Sequence, residues 1–258
     1  MSPLGFGSFL SPLLLFSVCP HLRTGISRSF SSLLKPQKFR PLVSRECPSV
    51  SGRFFIPSPQ IPSRCFASLP ASSKMAIKVL VPVAHDSEEI EAVCIVDTLR
   101  RAGAEVMVAS VEDNKLVRMS RGVCVQADKL ISEVQNEVFD CIAVPGGMPG
   151  AERCRDSAIL TKMLKAHKEQ GKFIAAICAS PAVVFQTHGL LEGEKAVAYP
   201  CFMDKFPANV RGEGRVCVSN KIVTSVGPSS AIEFALKLVE VLYNEEQAKK
   251  IASQLLCS

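Results

Sequence analysis

From residue 77 onward, short apolar runs rich in β-branched residues alternate with amphipathic stretches of helical period. Residues 77–84, 105–111, 139–144 and 173–177 are near-continuous apolar runs of strand length, the pattern of strands buried on both faces. Residues 195–199 read as a further strand. Residues 215–219 and 222–226 flank Asn220-Lys221 and read as a hairpin. Residues 117–121 and 123–127 flank Gly122 and read as a short hairpin or arm. The first helix opens at Asp86-Ser87-Glu88-Glu89, with Asp86 as the expected cap and Glu89 completing a capping box. Gly103 ends it. Residues 157–170 are amphipathic and stop at Gly171. A helix capped by Ser229 or Ser230 runs to about Tyr243, and a final one covers 245–256. Strands alternating with helices predict an α/β fold, a mostly parallel sheet covered on both faces. Ligand sites of such sheets lie beyond the carboxyl ends of the strands. Loops 85–91, 145–150 and 178–181 fall there and are expected to converge.

Composition divides the chain at about residue 74. Residues 1–74 hold 16 Ser, 10 Pro, nine basic residues and a single acid, Glu46, a formal charge of +8. The whole chain is +6, which leaves −2 for residues 75–258. The basic balance therefore belongs to the leader and gives no reason to expect nucleic-acid binding by the folded part. An acid-poor, Ser-rich, Arg-bearing N-terminus reads as an organelle transit peptide. The chloroplast is the first expectation and the mitochondrion the second, with cleavage between about 60 and 75. Arg64-Cys65-Phe66-Ala67-Ser68 suits a mitochondrial processing site. The rival secretory reading has an apolar candidate in Leu13-Leu14-Leu15-Phe16-Ser17-Val18, but no basic residue precedes it. No apolar run reaches the roughly 20 residues a membrane-spanning helix needs. Residues 75–258 are of a size for one domain with a single large core. Their eight cysteines form no CxxC pair and no Cys/His cluster of zinc spacing, so they read as reduced thiols with no metal.

The candidate chemistry centres on Phe173-Ile174-Ala175-Ala176-Ile177-Cys178-Ala179-Ser180-Pro181. A strand stops at a cysteine, small residues and a proline follow, and Ala182-Val183-Val184-Phe185 reads as a helix. This is the form of a nucleophile elbow. A cysteine at such a helix start is expected to have its thiolate favoured by the helix dipole and free N–H groups. Gly146-Gly147 directly follows a buried strand, and its N–H groups are candidate donors to a developing oxyanion, with the N–H of Ala179 as another. No GxGxxG or GKS/T follows, so this is not a phosphate loop. Glu88 and Glu89 read as complements to the helix dipole. Glu91 lies a turn further in, beside an expected apolar stripe of Ile90, Val93 and Cys94. Burial there would raise its pKa and make it a proton donor or general acid/base. Of the histidines, His167 reads as solvated and His188 as a structural residue near a helix end. His85, at the mouth of the first strand, is placed to reach the site or to face solvent. None is adjacent to Cys178.

Asp86-Ser87-Glu88-Glu89-Ile90-Glu91-Ala92, Val144-Pro145-Gly146-Gly147, Ala175-Ala176-Ile177-Cys178-Ala179-Ser180-Pro181 and Thr224-Ser225-Val226-Gly227-Pro228 together resemble the ThiJ/PfpI superfamily. The likeness is closest to its parkinsonism-associated deglycase branch in the plant form, and covers about residues 75–256. The resemblance implies a flavodoxin-like three-layer α/β sandwich that usually forms a homodimer. It implies a reactive elbow cysteine, matching Cys178, partnered by a protonated glutamate, matching Glu91. It implies glyoxalase activity without glutathione, metal or other cofactor, turning methylglyoxal into lactate and glyoxal into glycolate. Protein deglycase, oxidation-sensor and chaperone roles are also described for the family, so small 2-oxoaldehydes or glycated groups are the implied partners. Arg121 matches a family arginine near the site and dimer interface.

Two departures stand out. Where family members often carry a His-Pro pair, this chain has Tyr199-Pro200, and a tyrosine is a poor proton carrier at neutral pH. Plant relatives often hold two such domains in tandem, so this chain, with one, reads as a truncated or alternative product. Three functions follow as expectations: an enzyme acting on aldehydes, a cysteine-based oxidative-stress sensor or chaperone, and a peptidase or amidase. The last normally needs a histidine directly after the cysteine, where Ala179 stands.

Overall fold

A computed structural model of the protein describes residues 76–257. The leader over 1–74, with its expected transit peptide and cleavage site, lies outside the described residues. The apolar runs become strands β1 (Lys78–Val83), β2 (Glu105–Ser110), β6 (Cys141–Val144) and β7 (Phe173–Ile177). Between β2 and β6 come the short strands β3 (Leu116–Arg118), β4 (Cys124–Gln126) and β5 (Lys129–Leu130). β3 and β4 pair antiparallel as a separate two-stranded arm around Gly122. Strands β8 (Val216–Ser219) and β9 (Ile222–Ser225) form the expected hairpin, with Asn220 at φ 49° in its turn. The helices are α1 (Glu89–Arg101), α2 (Ile131–Val134), α3 (Gly150–Asp156), α4 (Ala158–Glu169), α5 (Ala231–Leu242) and α6 (Glu245–Gln254).

The main sheet has seven strands in the order β5-β2-β1-β6-β7-β9-β8, all parallel except the edge strand β8. Counting only the five long parallel strands, the order is 2-1-3-4-5, the flavodoxin-like winding, whose chain reversal beside β1 opens a crevice at the strand ends. Side chains alternate across the sheet. Val79, Val81, Val83, Ala143, Ala175 and Ile177 face a core completed by Ile95 and Leu99 of α1 and Phe234 and Leu238 of α5. Leu80, Ile142, Val144, Ile174 and Ala176 face the opposite core, against Leu160 and Leu164 of α4 and Phe185. Two buried faces explain why these strands read as unbroken apolar runs.

Four local expectations are corrected. Residues 195–199 form no strand: Ala196 makes one isolated bridge to Arg211, and the Val197 N–H donates to the Thr224 hydroxyl at 3.0 Å. The cap of α1 is Glu88, whose side chain accepts the Glu91 N–H at 2.8 Å; Asp86 sits a turn earlier at φ 63°. The apolar stripe expected on α1 is rotated, with Ile90 and Val93 half exposed and Ala92, Ile95 and Leu99 inside. After Cys178 the chain makes a wide π-helical turn over Pro181–Gln186 in place of an ordinary α-helix.

Candidate active site

The crevice at the carboxyl ends of β1, β6 and β7 brings the three loops together. Cys178 follows β7 at φ 64°, a conformation that costs a non-glycine residue about 1–3 kcal/mol. Its neighbours hold it there. The Cys178 N–H donates to Ser225 O at 2.9 Å, and Cys178 O accepts the Tyr199 N–H at 2.8 Å. One residue on, the buried Ser180 hydroxyl donates to Pro145 O at 2.6 Å, pinning the elbow to the Gly146-Gly147 turn. Cys178 is left partly exposed at the base of a cleft of about 400 Å³.

Glu91 is fully buried on the first turns of α1. Its Oε2 accepts the Gly146 N–H at 2.7 Å, and Glu88 N–H in turn donates to Gly146 O at 2.9 Å. The other oxygen, Oε1, has no N–H or O–H partner, and the Cys178 thiol is the group beside the carboxyl. Burial pushes the Glu91 carboxyl up to about 7, with the Glu88 charge adding to the rise and the Gly146 N–H and the thiol opposing it. Burial also pushes the Cys178 thiol up to about 12, reinforced by the charge and hydrogen bond of Glu91. The N–H groups of Gly147 and Ala179 reach the sulfur and work in the opposite direction.

These facts revise the expectation of a thiolate favoured by a helix start. Beside an ionised Glu91 the thiol keeps its proton. With the proton on Glu91, two N–H groups face the sulfur without an opposing charge. The pair titrates as a unit.

Gly146 is no free oxyanion donor, since Glu91 occupies its N–H; Gly147 and Ala179 are the donors directed into the cleft. A Cβ on Gly146 would lie 2.6 Å from Cys178 Cβ and 2.8 Å from Glu91 Oε2, so only glycine leaves room for these two side chains to meet. Arg121 lines the cleft, its N–H donating to Glu89 Oε1 at 2.8 Å. Glu89 is buried and also accepts the Ser120 hydroxyl at 2.7 Å, so it anchors the β3–β4 arm as well as lying at a helix start. Tyr199 lines the cleft half exposed. Its ring and the Cys178 sulfur both crowd the face of Gly227, where a Cβ would lie 3.2 Å from the ring and 3.9 Å from Sγ.

The histidines are engaged elsewhere. His85 Nδ1 accepts the Arg118 N–H at 3.1 Å, on the arm. His167 is buried, its Nδ1 3.4 Å from Phe173 O, and burial pushes its pKa down; the expectation of a solvated side chain is corrected. His188 Nε2 lies 2.8 Å from Arg155 O, a structural contact. The cleft also takes in Met148, Cys201 and Phe202, which no motif singled out, and Pro228 of the Thr224–Pro228 motif. Among the described residues no group of three His, Cys, Asp or Glu could hold a metal ion, and no helix is long and apolar enough to cross a membrane.

A doubly wound parallel sheet that presents an elbow cysteine against a buried glutamate defines a cysteine-centred α/β protein. The DJ-1/PfpI family profile matches residues 77–241, and the chain belongs to that family. It is 45% identical over 193 residues to Protein DJ-1 homolog B of Arabidopsis thaliana, covering 74% of this chain and 44% of that one. The chain thus spans about half the length of the Arabidopsis relatives it matches. It is 33% identical to a Caenorhabditis elegans protein named glutathione-independent glyoxalase DJR-1.2, over 72% of this chain and 97% of that one. Among solved structures, Toxoplasma gondii DJ-1 in an oxidized form is 86% identical, with a TM-score of 0.70 over 70% of this chain and 98% of that one.

Proposed function

We propose that this protein is a glutathione-independent glyoxalase or deglycase acting on small 2-oxoaldehydes or on groups they have glycated. The observation that carries the reading is Glu91, a fully buried carboxyl raised to about 7, set beside a cleft-facing cysteine. A group that titrates near neutrality and touches a nucleophile can both give and take a proton at working pH. The name of the C. elegans relative supports the same chemistry.

In this reading Cys178 sulfur adds to the aldehyde carbon of methylglyoxal. An S–C bond forms as the S–H bond breaks, the carbonyl π pair moves to oxygen, and the thiol proton passes by way of the Glu91 carboxylate to that oxygen, completing a hemithioacetal. The Gly147 and Ala179 N–H groups stabilise the developing negative charge. Glu91 as carboxylate then removes the proton from that carbon and returns it to the neighbouring ketone carbon. The aldehyde carbon is oxidised and the ketone carbon reduced, so no external electron carrier is needed. Water hydrolyses the resulting thioester to lactate and frees the thiol. Arg121 and Tyr199 line the approach. The family resemblance supports a homodimer, and the leader composition supports delivery to an organelle, chloroplast ahead of mitochondrion.

The test is lactate formation from methylglyoxal by residues 75–258 against a Cys178→Ala control. Turnover no faster than the control overturns the enzyme reading.

A second reading, an oxidation sensor, has its own support. Two N–H groups directed at the sulfur and a protonated Glu91 would hold the oxygen of an oxidised Cys178. Tyr199 in place of a histidine removes a proton carrier that turnover would use.

A further inference from the structure

Two thiols line the cleft. Cys178 lies half-buried at the elbow, and Cys201 is exposed on the short 3-10 helix Pro200–Lys205, none of whose residues is buried. Of the free cysteines among the described residues, only these two line it. The turn is tied to the elbow at its start: Tyr199 N–H donates to Cys178 O at 2.8 Å. The Phe202 N–H then donates back to Tyr199 O at 2.8 Å, so Cys201 is carried within a tight turn anchored on the backbone of Cys178 itself.

We infer that Cys201 is a resolving thiol for Cys178, converting an oxidised elbow cysteine into a reversible Cys178–Cys201 disulfide. The inference deepens the oxidation-sensing reading and rests on it. Hydrogen peroxide supplies the oxidation: Cys178–SH and H2O2 give Cys178–SOH and water. The Cys201 thiol then attacks the Cys178 sulfur. The S–S bond forms as the S–O bond breaks, and the leaving hydroxide takes up a proton as a second water.

The surroundings are divided in a way that suits this step. The proton donors, Glu91 and the N–H groups of Gly147 and Ala179, lie on the protein side of the sulfur, where the hydroxyl would be held. Cys201 is exposed and lines the same cleft, so the two thiols share one solvent-accessible space. Disulfide formation requires the two Cα atoms within about 7 Å. No residue of the turn is fully buried; Phe202 and Met203 pack partly against the core, and Cys201 itself is exposed. The other candidates fail on position: Cys141 and Cys154 are sealed in the core, and Cys124 lies on the β3–β4 arm.

Trypsin cleaves after Lys172, Lys195 and Lys205, placing the two thiols in separate peptides, 173–195 and 196–205. The full chain is treated with a few equivalents of peroxide, blocked with an alkylating agent and mapped without reductant, alongside Cys201→Ser. The expected result is a cross-linked pair of these peptides, two hydrogens lighter than their sum and separated by dithiothreitol. In Cys201→Ser the cross-link is lost and sulfinic acid at Cys178 accumulates several-fold faster. Sulfinic acid forming at Cys178 at equal rates in both proteins, with no cross-link, overturns the inference and leaves the sensor reading standing. No oxidation of Cys178 at all overturns both.

Discussion

The Gly146 N–H donates to Glu91 Oε2 at 2.7 Å, joining two residues 55 positions apart at the point where a substrate would meet the thiol. A strand-end turn thus fixes the orientation of a buried carboxyl, and it does so only because residue 146 has no side chain. The Gly146→Ala variant would place a methyl group 2.6 Å from Cys178 Cβ and 2.9 Å from Ile177 O, and the backbone oxygen cannot yield. Methylglyoxal turnover is expected to fall about 100-fold, the scale of an ångström-sized misplacement. Stability should fall by about 1–3 kcal/mol. Lactate assays and urea unfolding on the same preparation measure both.

Glu91 makes stability depend on pH. Its folded pKa of about 7 lies above the ordinary 4.5, so between these values the folded state binds more protons than the unfolded one. Its contribution is fully present below pH 4.5 and is lost as pH rises through about 7. The loss is roughly 3 kcal/mol at most. Urea unfolding of the wild type should show this decline, and Glu91→Gln should flatten it.

Ser180→Ala removes the donor to Pro145 O in a fully buried contact. An unpaired buried carbonyl costs about 1–3 kcal/mol. The contact also joins the elbow to the oxyanion turn, so kcat should fall while KM changes little. Equal stability and kcat in the variant would assign the bond no role.

Tyr199→His restores an imidazole beside Cys178. Proton transfer by a positioned imidazole should raise kcat for methylglyoxal by about tenfold or more. An unchanged kcat would show that Glu91 alone moves the protons.

Peroxide should discriminate among the cysteines. Cys178 faces the cleft, whereas Cys141 and Cys154 are fully buried, so access separates them. Mass spectrometry on the native protein should find Cys178 oxidised before either of them.

The sequence by itself determined the parallel sheet, because strands buried on both faces leave unbroken apolar runs. It pointed to the elbow at Cys178, because strand, small residues and proline define that turn, and it offered Glu91 as a candidate, a carboxylate within a helix that the family resemblance matches to the cysteine's partner. Chain-local signals served less well where long-range contacts decide. Residues 195–199 are as apolar as a strand, but their backbone groups bond to Val210, the Thr224 hydroxyl and Cys178 instead of to a strand ladder. His167 has the spacing of a solvated helix residue, yet the sheet end at Phe173 covers it. Only the tertiary structure showed that burial raises both the Cys178 thiol and the Glu91 carboxyl above their ordinary values. A thiol at a helix start reads as acidic from local sequence, but burial and a carboxyl drawn from 87 positions away raise it, because desolvation and the charge of a neighbour depend on what is close in space. The second thiol, Cys201, was invisible for the same reason: nothing in its own stretch of sequence marks it, and long-range contacts, among them the Tyr199 N–H bond to Cys178 O and the packing of Phe202 on the core, bring it to the cleft.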